Sequence, residues 1–534
     1  MTTSRRLAST SARHVRISVA CPVHRLRPGR RGRLAAVAVA TALSVVACSA
    51  GPASAPASSR VVSEPPTSLV ATAIPSGAGA RLAPILGGAP MHACAGDGIE
   101  AWCGSLSVPE DPAQPSGREI GLAVKVIPAA AANPAPDALF GLAGGPGGAA
   151  TTSLGWLPVT FAGIHANRDI VLVDQRGTGG SNQLDVTGAP DTTGMSDEQA
   201  RSTVEAWARS FLASLGADPR FYTTSVAMDD LDQVRQALGY DRIDLYGPSY
   251  GATAAQYYMR QHGDHVRAVV LDGGTPLDVP IFEHIAASSQ AALDSLFARC
   301  AADAACHAAY PDVADEFQAV LDRLPVTTSI TDPITERPLV IDRVSFASGV
   351  HAALLTANSA ASLPRLIHEA FLGRWEEIAS SLSGGGAGAL LVMSIEIRCS
   401  EAWARFDADE VARVGAGSYD LDAQIAGAEA QAQSCALVPR GVVPADDAQP
   451  LHSDIPTLVL AGGADPQDPP ALLAISKQVL SNSRVVVMPG QGHTVGHLGC
   501  MPGIIDAFVQ AGSLVGLDTS CTDPGDNPLP AFAG

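Results

Sequence analysis

The sequence predicts an α/β fold in which helices cover both faces of a mostly parallel sheet. Short apolar runs rich in Val, Ile and Leu end in glycine or aspartate, and helical or long segments separate them. These runs occupy residues 139–142, 169–173, 243–246, 268–271, 457–461 and 484–488. The strand pattern lapses from residue 275 to 454, where helical patterns replace it. This second observation predicts a largely helical cap inserted into the sheet domain.

The inserted segment has the apolar periodicity of several helices. The predicted helices cover residues 285–300, 313–324, 362–381 and 389–405. A glycine-rich run at 383–388 separates the last two and is expected to be a loop. A cap over the sheet edge would exclude water from a site there and select its substrates.

A serine follows the third apolar run on a tight turn. Residues 246–251 read Tyr-Gly-Pro-Ser-Tyr-Gly, and an alanine-rich helix start follows at 252–261. Glycines at 247 and 251 let the helix approach the strand closely, which holds Ser249 in a strained conformation with an exposed Oγ. The sequence therefore predicts a nucleophile at Ser249 rather than an ordinary turn serine.

Asp465 and His493 follow the last two apolar runs, at strand ends where ligand chemistry concentrates in parallel sheets. The chain order Ser249, Asp465, His493 is that of α/β-hydrolases and differs from chymotrypsin and subtilisin. In such a triad the histidine takes the serine proton and returns it to the leaving group, while the aspartate holds the imidazole tautomer. Asp468 and His497 are alternatives, and His497 is expected to be structural.

The glycine loop at 144–148 is expected to help form an oxyanion hole. The backbone N–H groups of Gly145 and Tyr250 are the predicted donors, each contributing about 3 kcal/mol. The loop lacks the lysine of a P-loop and the spacing of a dinucleotide fingerprint. A zinc site on His493 and His497 is disfavoured because the glutamate of H-E-x-x-H is absent. We therefore expect no metal and no cofactor.

Five motifs together resemble the α/β-hydrolase serine aminopeptidases. They are Gly-Gly-Pro-Gly at 144–147, Asp-Gln-Arg-Gly-Thr-Gly-Gly-Ser at 174–181, the Ser249 elbow, Asp465-Pro466 and Gly492-His493. The resemblance covers residues 90–525 and lies within the group of proline iminopeptidases and tripeptidyl aminopeptidases. The secreted tripeptidyl aminopeptidase-like proteins of bacteria are the closer match. The resemblance implies an α/β-hydrolase fold and a serine exopeptidase acting on peptides.

Two positions depart from the proline iminopeptidase pattern. Ala143 stands in place of histidine, and Gly247-Pro248 stands in place of Gly-Gly. These departures argue against proline specificity and leave the catalytic residues intact. We expect release of short peptides or single residues from peptide N-termini. An esterase or lipase is the alternative, because one triad serves both acyl chemistries, and a catalytically silent binding protein is disfavoured by the intact triad.

An aminopeptidase needs a carboxylate that pairs with the substrate ammonium. Residues 394–401, Ser-Ile-Glu-Ile-Arg-Cys-Ser-Glu, resemble the cap segment of this family near its amine-binding acidic residues. Glu396 and Glu401 are therefore the candidates. The alternative is that Glu396 pairs with Arg398 or a neighbour and that Glu401 is solvated.

Residues 1–47 are typical of a signal peptide. Nine arginines and no acidic residue precede an uncharged run that is too short to span a bilayer. Residues 45–48, Val-Val-Ala-Cys, resemble a lipobox, which would make Cys48 the lipidated first residue of the mature protein. A plain signal peptide is the alternative, and paired arginines allow a twin-arginine route. Residues 48–90, rich in Pro, Ala, Ser and Gly, are predicted to form a flexible tether.

After the tether, the expected organisation is a sheet domain in two parts, 91–274 and 455–534, with the cap at 275–454. Loss of the nine signal-peptide arginines takes the formal net charge from −19 to −28. Such an acidic protein repels nucleic acid and anionic lipids. We expect peptide substrates, no nucleic acid, and membrane contact only through the lipid, either at the outer face of the bacterial membrane or after secretion.

Eight cysteines remain besides Cys21 and Cys48. They are Cys94, Cys103, Cys300, Cys306, Cys399, Cys435, Cys500 and Cys521. An even number in an exported protein predicts disulfides. Eight cysteines permit 105 pairings, and we expect the sequential one, 94 with 103, 300 with 306, 399 with 435 and 500 with 521.

Overall fold

The computed structural model describes most of the chain beyond the N-terminal segment. The described residues are 83–96, 99–190, 192, 195–331, 338–379, 391–402, 405–523 and 525–533. The expected signal peptide, Cys48, most of the tether and the glycine-rich run at 383–388 lie outside them. Over these ranges, no helix combines the length and the apolar character needed to cross a membrane.

Nine strands form one sheet whose parallel part is the centre of the fold. In chain order they are β1 His92–Gly96, β2 Ile99–Pro109, β3 Glu119–Ile127, β4 Ala138–Gly141, β5 Ile170–Val173, β6 Ile243–Pro248, β7 Val266–Asp272, β8 Thr457–Gly462 and β9 Ser483–Met488. Across the sheet their order is β9-β8-β7-β6-β4-β5-β3-β2-β1. Strands β4 to β9 pair in parallel, while β1, β2 and β3 are antiparallel. The predicted mostly parallel sheet is confirmed.

The apolar runs of the sequence correspond to β4 through β9, whereas β1 to β3 were not predicted. Strands β4 to β8 are buried or nearly so along their length, whereas β9, at the edge of the sheet, is only partly buried. Strand β3 instead alternates buried and partly exposed residues, as antiparallel strands with one solvated face do. A search for continuous apolar runs therefore finds the centre of the sheet and misses its antiparallel edge.

Ten helices of seven or more residues occur in the part of the chain that the structure describes. They are α1 Asp197–Ser214, α2 Thr224–Leu238, α3 Tyr250–His262, α4 Ile285–Ala302, α5 Val313–Arg323, α6 Arg343–Leu354, α7 Leu363–Phe371, α8 Ala408–Val414, α9 Leu421–Cys435 and α10 Met501–Ala511. Helices α2 and α3 contribute to the apolar core on one face of the sheet, and α10 to the core on the other. Adjacent residues of β4 point to opposite faces of the sheet, because Phe140 belongs to the first core and Leu139 to the second. The sheet is thus covered on both faces.

Helices α4 to α9 lie between β7 and β8, where the cap was predicted, and a third apolar cluster contains residues of all of them except α8. Helix α7 ends at Phe371, well before the predicted residue 381, and Gly373 follows with a φ of +82°. A glycine in this left-handed conformation is a common helix terminator. The predicted helix at 389–405 is divided into a short helix, Val392–Ile397, and a π-helical turn, Arg398–Ala402. Two antiparallel strands, Val326–Thr331 and Pro338–Ile341, were not predicted.

Four disulfides join the eight cysteines in the sequential pattern. The bonds are Cys94–Cys103, Cys300–Cys306, Cys399–Cys435 and Cys500–Cys521. The first links β1 to β2, and the third links the π-helical turn to the end of α9. The third bond therefore fixes a segment that, as described below, lines the candidate active site.

Candidate active site

Ser249 lies on the turn between β6 and α3, with φ 55° and ψ −129°. An L-residue rarely adopts this conformation, so the surrounding structure must impose it. A Cβ at Gly247 would collide with the carbonyl oxygen of Gly251, and a Cβ at Gly251 would collide with that of Leu142. The Ser249 N–H donates to the carbonyl oxygen of Asp272 over 2.8 Å. The two glycines are thus required for the tight turn that the sequence predicts.

His493 and Asp465 form a buried hydrogen-bonded pair. The Nδ1 atom of His493 lies 2.8 Å from Asp465 Oδ2 and 3.7 Å from Asp468 Oδ2. The other oxygen of Asp465 accepts backbone N–H groups from Gln467 at 2.8 Å and Asp468 at 2.9 Å. These bonds hold the Asp465 carboxylate in line with the imidazole. The structure therefore places Asp465, and not Asp468, as the hydrogen-bond partner of His493.

The pKa values of this group favour a charged imidazole. Burial alone would lower the pKa of His493, but the charge and hydrogen bond of Asp465, with Asp468 and Asp272, raise it to about 9. Burial also opposes ionisation of Asp465, yet the charge of His493 holds the pKa of Asp465 below its ordinary value. The Nε2 atom of His493 is buried and has no hydrogen-bond partner among the described residues. The imidazole is thus electrostatically prepared to receive a proton at Nε2.

Asp468 has different partners from Asp465. Its Oδ1 accepts hydrogen bonds from the backbone N–H of Thr275, at 3.1 Å, and from the Thr275 hydroxyl. Burial raises the pKa of Asp468 to about 6. Potential ligand atoms of Asp465, Asp468 and His493 lie within 4.8 Å of one another. The Nδ1 of that imidazole is already bonded to Asp465, so a proton there excludes a metal at the same atom.

His497, the alternative to His493, has aromatic surroundings. Its ring lies 5.8 Å from the indole of Trp156 in an edge-on arrangement. It is not among the described residues that line the cavity at Ser249. This placement agrees with the structural role expected for His497.

A cavity of about 200 Å³ lies between the sheet edge and the cap, and Ser249, Gly145 and Tyr250 all line it. Tyr250 is the first residue of α3, so its N–H belongs to the unpaired first turn of a helix. Gly145 has a φ of +126°, in the region that favours glycine. The structure therefore places both predicted oxyanion-hole residues on the wall of the cavity that contains Ser249, the predicted nucleophile.

The cap contacts two loops of the candidate site, which the sequence did not reveal. Ser394 donates its hydroxyl proton to the carbonyl oxygen of Pro146, over 2.7 Å, in the glycine loop. The His493 N–H donates to the carbonyl oxygen of Leu355, over 2.8 Å, just after α6. The cap thus holds the loop of Gly145 and the loop of His493 in place.

Glu401 and Glu396 differ in their relation to the cavity. Glu401 lines the cavity and is only 3% exposed. Its carboxylate accepts the N–H of Thr224 at 2.6 Å and the Thr224 hydroxyl at 2.7 Å, and that hydroxyl lies 2.7 Å from the Tyr250 hydroxyl. Burial raises the pKa of Glu401 to about 8. The expected alternative of a solvated Glu401 is therefore wrong.

Glu396 is also buried, but it is not among the described residues that line the cavity. Its Oε1 accepts the Ser400 hydroxyl at 2.5 Å, and its Oε2 has no partner among the described residues. Burial raises the pKa of Glu396 to about 7. Of the two candidates for amine binding, Glu401 is thus the one that lines the same cavity as Ser249.

His351 in α6 is a further cavity-lining residue without a sequence signal. It is 3% exposed, and its Nδ1 lies 3.1 Å from the Ser289 hydroxyl oxygen. Burial lowers the pKa of His351 to about 4. The side chain is therefore neutral near pH 7 and offers the cavity a polar, uncharged group.

The curated proteins that this chain resembles are named for different activities. Serine protease Hip1 of Mycobacterium tuberculosis is 29% identical over 263 residues, covering 44% of this chain and 47% of the relative. Carboxylesterase B of the same species is 31% identical over 323 residues, covering 55% and 57%. A tripeptidyl aminopeptidase of Streptomyces coelicolor is 30% identical over 188 residues, covering 32% and 34%. The matches therefore span between one third and three fifths of the length of these curated relatives.

Among solved structures, a proline iminopeptidase from Mycobacterium smegmatis has 17% identity and a TM-score of 0.34, covering 77% of this chain and 98% of that chain. The model of the α/β hydrolase fold family matches residues 142–499. This range is more than half of the chain and contains Ser249, Asp465 and His493. With its parallel sheet, its serine elbow and its histidine–aspartate pair, the chain belongs to the α/β hydrolase fold family.

Proposed function

We propose that the protein is a serine hydrolase in which Ser249 is the nucleophile. Its Oγ attacks a substrate carbonyl carbon and its proton passes to Nε2 of His493, while Asp465 stabilises the resulting imidazolium. The N–H groups of Gly145 and Tyr250 bind the oxyanion of the tetrahedral intermediate. As the intermediate collapses, His493 donates the proton to the leaving group and an acyl-enzyme remains. A water molecule, deprotonated by His493, then releases the acid and restores the Ser249 hydroxyl.

Within this class, we propose an aminopeptidase that releases short peptides or single residues from peptide N-termini. The observation that carries this proposal is the buried carboxyl of Glu401 on the wall of the cavity that contains Ser249. An ammonium that enters the cavity loses hydration and needs an ionised partner. Glu401 can supply it, and the charge of the ammonium favours ionisation of a carboxyl whose pKa burial has raised to about 8. The names of two relatives, a serine protease and a tripeptidyl aminopeptidase, agree with this activity.

An esterase is the second candidate, and a separate observation favours it. One wall of the cavity is apolar and consists of Leu277, Val279, Ile281, Phe282 and Ile285. Such a wall suits an alkyl or aryl ester as well as an apolar peptide side chain. One relative is named a carboxylesterase.

The two candidates are separated by substrates that differ only at the amine. Purified protein is assayed with free-amine peptides, the same peptides acetylated at the N-terminus, and simple esters without an amine. An aminopeptidase cleaves the free peptides and loses most of its kcat/KM on acetylation. Equal cleavage of free and acetylated peptides, or cleavage of esters alone, would refute the aminopeptidase and leave the serine hydrolase.

We further propose that the protein is exported and anchored through a lipid on Cys48. The four disulfides support export, because such bonds persist in oxidising compartments. If Cys48 is lipidated, the mature protein partitions into detergent and Cys48→Ala moves it to the aqueous phase or stalls its processing. Unchanged partitioning of the variant would instead indicate a plain signal peptide.

A further inference from the structure

Asp272, the last residue of β7, contacts both segments that carry the proposed nucleophile and base. Its backbone carbonyl oxygen accepts the N–H of Ser249 over 2.8 Å. Its carboxylate accepts the N–H of Val495 at Oδ1, over 2.7 Å, and the N–H of Gly496 at Oδ2, over 2.8 Å. These two amides follow His493 by two and three residues. One residue thus holds the turn of the serine through its backbone and the loop of the histidine through its side chain.

The carboxylate of Asp272 is fully buried and is bound by neutral donors. Besides the two amides, Tyr246 on the neighbouring strand β6 donates its hydroxyl proton to Oδ2 over 2.8 Å. Burial raises the pKa of Asp272, while the three hydrogen bonds and the nearby His497 oppose that rise. A protonated carboxyl would need an acceptor for its own proton, whereas three donors converge here. The hydrogen bonds therefore favour the ionised carboxylate.

Close packing restricts the segments on both sides of this contact. Gly273 follows Asp272 with a φ of +70°, and a Cβ on it would lie 3.2 Å from both Nδ1 and Cε1 of His493. A Cβ on Gly496 would lie 2.6 Å from Oδ2 of Asp272. Thr494 has a φ of +58°, a conformation that is rare for a β-branched residue. The loop is therefore strained beside the histidine, and the bonds to Asp272 hold it in that conformation.

The same carboxylate acts on His493 electrostatically. Burial lowers the pKa of this imidazole, and three carboxylates raise it, namely those of Asp465, Asp468 and Asp272 in decreasing order. The first two belong to the loop after β8, and the third to the end of β7. His351 on α6 also interacts with the imidazole, but burial lowers the pKa of His351 to about 4, so it carries no charge near pH 7. The charges that act on the imidazole near pH 7 are thus negative and come from two separate loops.

We propose that Asp272 is a positioning residue, whose carboxylate aligns the loop of His493 with Ser249 and favours the protonated imidazole. The proposal rests on the proposed serine hydrolase, because the alignment matters only if these two residues exchange a proton. Asp272 is not among the described residues that line the cavity, so it acts through them and not through substrate contact. The competing explanation is that Asp272 only stabilises the end of β7. Its loss would then lower the melting temperature and leave each folded molecule fully active.

The test uses Asp272→Asn with an ester substrate. Asparagine keeps the size of the side chain and one acceptor oxygen, but it lacks the charge and places an NH₂ group where the loop offers only donors. Active sites in each preparation are counted by fluorophosphonate titration. Per active site, kcat should fall about tenfold or more with little change in KM, as misplaced reacting groups predict. The rise of kcat/KM with pH should occur about half a pH unit lower or more, because His493 loses a neighbouring negative charge.

Asp244→Asn is the matched control. Asp244 is as fully buried as Asp272, but it lies near the start of β6, at the opposite end of that strand from Ser249, and pairs with Arg267 over 2.8 Å. Its loss should change the melting temperature but neither kcat per active site nor the pH profile.

Two further variants separate the charge from the contact. Tyr246→Phe removes one of the three hydrogen bonds and keeps the charge of Asp272, so its pH profile should match that of the wild type. Gly496→Ala keeps the charge as well, but its Cβ would push the carboxylate away from the loop. Its kcat per active site should fall with little change in KM. If Asp272→Asn does not fold, this variant decides whether the contact aligns the site.

An Asp272→Asn variant that matches Asp244→Asn in kcat per active site and in pH profile would overturn the proposal. So would a change in KM larger than the change in kcat, because it would indicate substrate contact. A lower kcat with an unshifted pH profile would overturn the electrostatic contribution. Failure of the proposed function has a different signature, namely wild-type protein that fluorophosphonate does not label at Ser249.

Discussion

Glu401→Gln is the substitution that most directly tests how the cavity recognises its substrate. Glutamine has nearly the shape of glutamate and keeps an oxygen for the Thr224 N–H, while the Thr224 hydroxyl can turn to accept from the new amide. The variant should therefore fold. What it lacks is the negative charge that pairs with a substrate ammonium.

The size of the effect follows from two opposing contributions. Removing one partner of a buried charge pair costs about 3 to 5 kcal/mol. In the wild type, burial raises the pKa of Glu401 to about 8, so ionising it at pH 7 costs about 1.4 kcal/mol before the pair can form. The difference is about 1.6 to 3.6 kcal/mol, which corresponds to a loss of roughly 15- to 400-fold in kcat/KM for free-amine peptides.

The assay measures kcat/KM for a free-amine peptide and for a simple ester with the wild type, Glu401→Gln and Glu396→Gln. Only the first variant should lose peptide hydrolysis, and all three proteins should hydrolyse the ester at similar rates. Glu396 is the matched control because it is equally buried but is not among the described cavity-lining residues. Equal losses on peptide and ester would show that Glu401 only caps the start of α2, and would refute the assignment of an amine-binding role.

Ser249→Ala should abolish labelling by a fluorophosphonate and leave at most the ~10³- to 10⁴-fold rate over water that binding and the oxyanion hole supply; stoichiometric labelling of the variant would contradict the assignment. Asp465→Asn should reduce kcat far more than Asp468→Asn, since Asp465 bonds to Nδ1 of His493 at 2.8 Å and Asp468 lies at 3.7 Å; similar losses would reverse the choice. With an ester substrate, kcat/KM should rise with pH as His493, whose pKa is raised to about 9, loses its proton. Asp468→Asn removes a negative charge that raises the pKa of His493, so the rise of kcat/KM with pH should occur at lower pH in this variant. An unchanged pH profile would argue against an electrostatic effect of Asp468 on His493. Ser394→Ala removes the hydrogen bond to the glycine loop and should lower kcat about 5- to 30-fold with little change in KM, whereas a change in KM alone would indicate substrate contact.

The residues proposed to react could be predicted from sequence because the position of each depends on local structure. The elbow needs only a strand, two glycines and a helix within a dozen residues, and the collisions at Gly247 and Gly251 show why the spacing is so restrictive. Asp465 and His493 follow from one topological rule, that chemistry collects at the carboxyl ends of parallel strands. A continuous apolar run marks each of those strands, so the rule could be applied without a structure.

Recognition residues depend instead on how the cap folds back over the sheet. Glu396 and Glu401 were equivalent in the sequence, and only the contact of Glu401 with Thr224, 177 residues away, identifies the one that lies on the cavity wall. Ser394 contacts Pro146 across 248 residues, and no local pattern predicts that bond.

By itself, the sequence determined the parallel centre of the sheet, the order of the triad candidates and the sequential pattern expected for the disulfides. Only the tertiary structure decided which charged residues share the cavity with Ser249, which aspartate bonds to His493, and where the antiparallel edge of the sheet lies. The physical reason is the distance along the chain between the residues that interact. Turn geometry and strand burial depend on neighbours along the chain, while a binding site is assembled by packing between segments that are far apart in sequence.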